Sequence, residues 1–422
     1  MIAEIIAVGS EMLTPFRTDT NSLFLTEGLN DLGVSVAFKT VIGDNRDHLT
    51  SAVRVALSRA DIVITSGGLG PTEDDLTRNC VAEALGVELY KDPDTIAWLY
   101  KRFAARRIPM PPNNEKQAEV IDGAELLPNR NGSAPGQWRD TLWPTPNGDL
   151  HRKILILLPG PPNELKALFT DECIPRLAAT LPPRFLAKRL LRMALIPEST
   201  VDARTAPIYT KFTDVETTIL AGSGEIQLHF ACVKPTQEAA EARVNEVAEL
   251  IEHEMGDDIF SSHRESLEEI VLLMLEMRDL KLAVAESMTG GLLSQRLSAI
   301  PNASRSFHGG AVVYATEQKS NLANVPPELI QQHGAVSPEV ARALAEGIRK
   351  VTGCSLGLSI TGLAGPGGGE GPDEGKPVGL VYIGFADGED TQVKHLNLFG
   401  DRDRIRFWAS QHALELIRRT LL

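Results

Sequence analysis

The string SGGLGPTEDDLT, Ser66–Thr77, follows an apolar run and precedes a helical pattern. Its glycines Gly67, Gly68 and Gly70 permit close backbone approach and positive φ. Amides emerging from such a turn cradle an anion such as phosphate. Asp74 and Asp75 offer hard oxygen ligands, which suit a magnesium ion bridging that phosphate. The plain alternative is a glycine turn followed by acids that favour the helix dipole. No Gly-Lys-Ser/Thr follows, so the string is not a Walker A loop, and its spacing is not that of a dinucleotide fingerprint. A second string, AESMTGG at Ala285–Gly291, also joins an apolar run to a helical pattern. Ser287 is expected at the helix start, where free amides stabilise an oxyanion. Serine is equally a preferred N-cap. A serine nucleophile needs a base. In GGAVVYATEQKSNL, Gly309–Leu322, Tyr314 ends a strand and Lys319 follows. A desolvated lysine of lowered pKa takes a serine proton, with Tyr314 orienting it or sharing the proton. The plain alternative is a surface lysine and an interfacial tyrosine. His308 and His333 show no His–Asp pairing by spacing, and neither Ser-Xaa-Xaa-Lys nor Gly-Xaa-Ser-Xaa-Gly occurs around Ser287.

Further polar residues fall where strands are expected to end. They are Ser10 and Glu11, Asp19 and Asn21, Asp44 in VIGDN, Ser133 in NGSAPG and Glu164 in PGPPNE. Ligands collect at the carboxyl ends of parallel strands, which gives this distribution meaning. Taken singly, each has a structural reading as well; Glu164 is also a helix starter. Toward the C-terminus, Gly290 and Gly291 follow Ser287, and SITGLAGPGGG places Thr361 and Gly362 at another strand end. FGDRDRIR adds Arg402, Arg404 and Arg406. These make a bed for a nucleotide phosphate, or ordinary turns and surface pairs.

The elements that must position these residues alternate short apolar strands with amphipathic helices, which predicts α/β architecture. In the first block the spacing predicts strands at 2–8, 34–41 and 61–68, helices at 20–32, 47–59 and 74–86, and an apolar strand within 153–162. Residues 105–150 read as long loops with a short helix near 113–121. A second block at 181–263 reads as a small α+β module, with strands at 189–196 and 226–233 and a helix at 236–255, serving as spacer or dimerisation element. The third block, 264–422, has helices at 266–277, 338–350 and 401–421, and strands at 280–287, 308–315 and 377–387. The expected fold is thus two α/β domains with mainly parallel sheets, at 1–180 and 264–422, joined by the small module.

Composition bounds the function. The net charge of −14, from 42 basic and 56 acidic residues, argues against a nucleic-acid-coating surface and says nothing against small anionic ligands held by amides. Cys80, Cys173, Cys232 and Cys354 are far apart, which indicates neither a disulfide framework nor a zinc knuckle. No basic stretch precedes the first apolar run, and no run of membrane-spanning length occurs. A cytoplasmic protein without membrane contact is expected.

GGLGPTEDD, NGSAPG, LPGPPNE and TDTN resemble the N-terminal domain of the CinA family, itself similar to molybdopterin-binding domains. The resemblance implies metal-dependent hydrolysis of ADP-ribose to AMP and ribose 5-phosphate, with Mg2+ or another divalent cation as cofactor and Asp75 at the position of the relatives' acid. AESMTGG, GGAVVYATEQK, HGAVSPEVA, ITGLAGPGGG and KPVG resemble the C-terminal CinA domain, which also occurs alone as a nicotinamide-nucleotide amidohydrolase. This implies deamidation of nicotinamide mononucleotide to nicotinate mononucleotide and ammonia, without a metal. By matching motifs, Ser287 is the nucleophile and Tyr314 and Lys319 its activating partners. A homodimer is implied by the resemblance and by the prevalence of symmetric dimers. The competing reading is a non-catalytic pair of phosphate-ligand modules with a regulatory or scaffold role.

Overall fold

A computed structural model describes residues 1–144, 148–182 and 184–422. Residues 145–147 of the expected long loop lie outside the described residues. The chain divides into two compact units. One holds residues 1–186 and 233–240, the other residues 187–232 and 241–422.

The first unit is built on strands β1 (Ile2–Val8), β2 (Ser35–Ile42), β3 (Ile62–Ser66), β4 (Leu89–Lys91), β5 (Glu119–Ile121), β6 (Glu125–Leu127), β7 (Gly136–Pro144) and β8 (Leu150–Leu158). Six of them form one sheet in the order β2-β1-β3-β8-β7-β6, and β4 pairs β5 separately. The pairs β1–β2, β1–β3 and β3–β8 are parallel, whereas β7–β8 and β6–β7 are antiparallel. Central strands are buried on both faces, so their side chains alternate between two cores. Ile5, Ile62 and Ile64 pack into one, and Ile6 and Val63 into the other.

The expected irregular stretch at 105–150 is where the sequence misled. It contains β7, which extends the parallel sheet with an antiparallel edge. QWRDTLW mixes polar, charged and apolar residues, as suits a strand whose outer half is partly to fully exposed, so no apolar run marks it. The helix after the glycine string also begins later than expected, at Thr77, ending at Leu85. Asp74 and Asp75 therefore belong to the loop and not to a helical first turn.

The second unit has two sheets. Strands β9 (Phe185–Ala194), β10 (Glu216–Gly222), β11 (Glu225–Lys234) and β12 (Ile259–Ser261) form one in the order β10-β11-β9-β12. Strands β13 (Leu282–Glu286), β14 (Phe307–Val312), β15 (Leu356–Gly362), β16 (Leu380–Ala386) and β17 (Thr391–Asn397) form the other, in the order β14-β13-β15-β16-β17. β13 is parallel to β14 and β15, while β16 and β17 run antiparallel. Partly buried polar contacts tie the small sheet to the chain leading into the larger one and to the closing helix. Arg192 pairs with Glu225 at 2.8 Å and donates to the carbonyls of Arg264 and Glu265. Arg418, in the closing helix Arg402–Thr420, donates to Asp257 O at 2.7 Å. The overall class is mixed α/β, with parallel pairing at the sheet centres. Among the described residues, no helix is long and apolar enough to cross a membrane.

Helix Pro338–Thr352 crosses the end of helix Thr316–Ala323, which carries Lys319. A Cβ at Gly347 would lie 1.7 Å from Ala323 O, so only glycine allows this approach. Gly347→Ala is expected to lower stability by about 1–3 kcal/mol through overpacking. Chemical denaturation checks this; an unchanged midpoint would contradict the close approach.

Candidate functional site

In the first unit, the ends of β1, β3 and β8 surround a cavity of about 570 Å3. Glu11, Asn21, Asp44, Gly67, Gly68, Gly70, Asp74, Asp75, Ser133 and Glu164 all line it. Asp19 does not: its carboxylate accepts from Ser22 N at 3.0 Å and caps the helix Asn21–Asp31. Asp44 also has a structural task, accepting from Ser10 N at 2.8 Å while Ser10 Oγ accepts from Asp44 N. At Gly68 φ is +67°, and a Cβ would stand 2.1 Å from Thr77 Oγ1. The amides of Gly68, Leu69 and Gly70 donate to no described protein group. Asp75 is fixed by Thr72, whose amide and hydroxyl donate to Oδ2 at 2.8 and 2.5 Å.

Asn21, at the start of its helix, donates to Ser66 Oγ and Gly160 O. Its own Oδ1 is buried without a partner among the described residues. Glu164 accepts from Asn129 Nδ2 at 2.6 Å. Asn129 also accepts from the amides of Asn131 and Gly132, so it shapes the NGSAPG turn against Glu164.

Sequence reasoning missed Arg78. It is fully buried and donates Nη2 to Leu69 O at 2.9 Å, inside the glycine string. Its Nε and Nη1 have no partner among the described residues. Burial pushes its pKa down to about 10, against the pull of Glu119 and Asp75. Arg78 thus sets a buried positive charge behind the anion-cradling turn. A signal existed: Arg78 falls on the same helix face as Val81, Ala82 and Leu85, at the spacing that faces the core.

In the second unit, Ser287 sits just past β13, and Lys319 on helix Thr316–Ala323 meets it. Lys319 Nζ lies 3.2 Å from Ser287 Oγ, 2.9 Å from Val313 O and 3.3 Å from Tyr314 O. Lys319 is 2% exposed and Ser287 7%. Burial drives the Lys319 pKa down to about 8, opposed by Asp373 and Glu317. The surface-lysine alternative is therefore excluded. The contacts also suit the amine to a base's role. A charged ammonium has three N–H donors for three acceptors. A neutral amine keeps two for the carbonyls and turns its lone pair to Ser287.

Three expectations change here. Tyr314 reaches Lys319 through its carbonyl and not its phenol; the ring is 58% exposed and its hydroxyl accepts from Arg402 Nη2 at 2.9 Å. Ser287 is not at a helix start, because the helix begins at Leu292. The helix-start amides are not free for an oxyanion. Glu286, wholly buried, accepts from Gly291 N, Leu293 N, Ser294 N and Ser294 Oγ at 2.7 to 3.1 Å. The amides of Met288 and Thr289, in the turn before that helix, donate to no described group.

The glycine-rich strand end is also more structural than its composition suggests. Gly362 lies against Leu380 O of the neighbouring strand, and Thr361 Oγ1 donates to Ala335 O at 2.7 Å. Gly290 and Gly291 turn the chain after Ser287 with φ of +60° and +94°. Arg406 donates to Thr289 O at 2.7 Å, and Arg402 to Gly365 O. Arg406 therefore rims the Ser287 turn, while Arg402 links the Tyr314 hydroxyl to the Gly365 loop.

Residues 264–421 match the CinA C-terminal domain, and residues 4–179 match the probable molybdopterin binding domain. A CinA-like protein of Acidobacterium capsulatum is 59% identical over 422 residues, covering 100% of both chains. The chain belongs to the CinA family. A CinA-like protein of Koribacter versatilis is 53% identical, again over 100% of both chains. Among solved structures, a CinA superfamily protein from Klebsiella pneumoniae is 28% identical, covering 37% of this chain and 98% of that one, with a TM-score of 0.35. The CinA protein of Thermoplasma acidophilum is 33% identical, covering 41% and 97%, with a TM-score of 0.36.

Within this CinA chain, the capping carboxylate adjacent to Ser287 has a measurable weight. Glu286→Gln turns an amide group toward three backbone donors. It is expected to cost about 1–3 kcal/mol of stability, the range for a buried hydrogen bond to a charged group or an unsatisfied donor. Urea unfolding of the two proteins measures it, and equal midpoints would show that the cap is dispensable.

Proposed function

We propose that the second unit hydrolyses the carboxamide of nicotinamide mononucleotide to nicotinate mononucleotide and ammonia. The observation that supports this best is the buried Lys319–Ser287 contact at 3.2 Å. Neutral Lys319 takes the proton of Ser287 as Oγ bonds to the carboxamide carbon. The amides of Met288 and Thr289 face the negative oxygen that develops. The tetrahedral carbon then expels ammonia, which carries away the proton returned by Lys319. Water, activated by the same amine, cleaves the acyl-serine and regenerates the hydroxyl. Arg402 and Arg406, at the rim, pair with the nucleotide phosphate. Thr361, Gly290, Gly291 and Gly362 shape the floor of that site.

In the first unit we propose hydrolysis of the pyrophosphate of ADP-ribose. The free amides of Gly68, Leu69 and Gly70 bind phosphate oxygens, and Arg78 lends them its field. Among the described residues, no cluster of three or more His, Cys, Asp or Glu converges on a metal. Magnesium commonly takes one or two carboxylates and completes its shell with phosphate and water, and Asp74 and Asp75 fit that mode. Bound there, the ion would neutralise charge on the pyrophosphate. Glu11, Glu164 and Ser133 face the same space and position the substrate and its water. Support for a homodimer rests on family resemblance and on the frequency of two-fold assemblies.

Ammonia release from nicotinamide mononucleotide tests the first reading. Ser287→Ala is expected to be slower by roughly 100-fold or more, as loss of a covalent nucleophile requires. Release at the wild-type rate would remove Ser287 from the mechanism. AMP release from ADP-ribose, with magnesium or with chelator, tests the second. Asp75→Asn should lose it while keeping ammonia release; no turnover with retained binding would favour the binding-module reading.

The pH dependence follows from Lys319. The base works only when neutral, so the rate should rise with pH and level off above about 8. Lys319 in the unfolded chain keeps its proton to near the ordinary lysine value of 10.5, whereas the folded chain gives it up near 8. Between those values the unfolded state holds more protons, so stability gains with rising pH. Lys319→Met should abolish turnover and remove this gain. Unfolding midpoints across the interval read the second effect independently of activity.

A further inference from the structure

A second cavity in the first unit, of about 640 Å3, lies between helix Pro93–Ala105 and the segment Leu126–Pro135. It shares no lining residue with the cavity at the strand ends. The loop 128–135 separates them: Pro128, Asn129, Arg130 and Pro135 line the second cavity, Ser133 and Ala134 the first. The volume suits a small-molecule site.

Its chemistry is directional. Trp98 is 37% exposed, and the Arg102 guanidinium packs 5.2 Å from its ring centroid. Arg102 Nε is buried without a partner among the described residues. Arg130 makes no ion pair among the described residues and stands exposed at the wall. At the other end are Asp92 and Asp94. Asp92 is occupied by the amide and hydroxyl of Thr95, at 2.7 and 2.6 Å, which leaves Asp94 as the acid facing the ligand space. Eight residues of helix separate Asp94 from Arg102, roughly 12 Å at 1.5 Å per residue. A planar face, two cationic forks and an acid at nucleotide length form one array. Aromatic rings stack on indole and guanidinium, forks hold phosphate, and a carboxylate at the far end accepts from an amino group on the edge of the base.

The wall is also tied to the first cavity. Asn129 donates to Ala134 O at 2.8 Å and to Glu164 Oε2 at 2.6 Å, and accepts from Gly132 N at 2.8 Å. A Cβ at Gly132 would sit 1.7 Å from Glu164 Oε2, so the wall and that carboxylate have no slack.

We propose that this second cavity binds a nucleoside monophosphate, base against Trp98 and phosphate between Arg102 and Arg130, and that its occupancy acts on the first cavity through Asn129. The proposal concerns binding, and it does not depend on either reaction proposed above.

The test titrates AMP into the full chain and follows tryptophan fluorescence, with hydrogen exchange of the Gly132–Ala134 amides alongside. The expected result is a saturable quench with a midpoint below about 1 mM. Trp98→Phe should remove it, and Arg102→Gln should weaken it about tenfold or more. It should persist in Asp75→Asn and in Ser287→Ala, which sets it apart from ligand in either proposed active site. Exchange at Gly132 should slow on saturation in the wild type and not in Asn129→Ala. A quench unchanged in Trp98→Phe, or none at all, overturns the site. A Trp98 signal that follows protein concentration without AMP also overturns it, by showing a contact between copies. A Trp98-dependent quench without the exchange change overturns the coupling.

Discussion

Where a strand at the centre of a sheet stops, its chain must turn before the next helix, and the polar groups of that turn lie too deep to be left to water. Which partner satisfies each of them decides which remain for a ligand. In the second unit Glu286 takes three helix-start amides and a hydroxyl. The Ser287 turn is left with the amides before them. In the first unit Thr72 fixes Asp75, Arg78 takes the Leu69 carbonyl, and Asn129 binds two amides and Glu164. Both candidate sites consist of what these buried partners leave over.

The two units solve the problem with opposite charges. A carboxylate behind the Ser287 turn uses up donors and locks the loop, so Ser287 keeps a fixed position. A guanidinium behind the Gly67–Asp75 loop uses up an acceptor and leaves amides free, so the loop favours an anion. The first arrangement suits chemistry at a hydroxyl, and the second suits phosphate. Lys319 fits the same logic. Its ammonium is expensive to bury, and two backbone carbonyls hold it whether charged or neutral. Desolvation lowers its pKa, and the two carbonyls that take its N–H groups turn the lone pair of the neutral amine toward Ser287.

Much of the architecture was legible in the sequence. β1, β3 and the second half of β8 are mostly apolar and buried, as strands covered on both faces must be. The outer strands were not: β7, next to the edge strand β6, and β17, at an edge, carry mixed polar and apolar residues because part of each faces water. Their pairing rests on neighbours distant in the chain. Nearly all the residues read as candidates in the first block do meet in one cavity, since strand ends converge by topology. Asp19 stands apart because a local helix cap claims its carboxylate.

The sequence by itself determined the family, the alternation of strands and helices, and the residue types available at each strand end. It left open whether Lys319 is exposed or buried, whether the Tyr314 phenol or its carbonyl meets that amine, and which amides after Ser287 are free. Only the tertiary structure decided those points. Burial, and the partner that a hydroxyl, amide or amine finds, depend on side chains tens to hundreds of positions away. Spacing along one strand or helix records what a residue can do, while the packed neighbours determine which of its hydrogen bonds and charges are still free to do it.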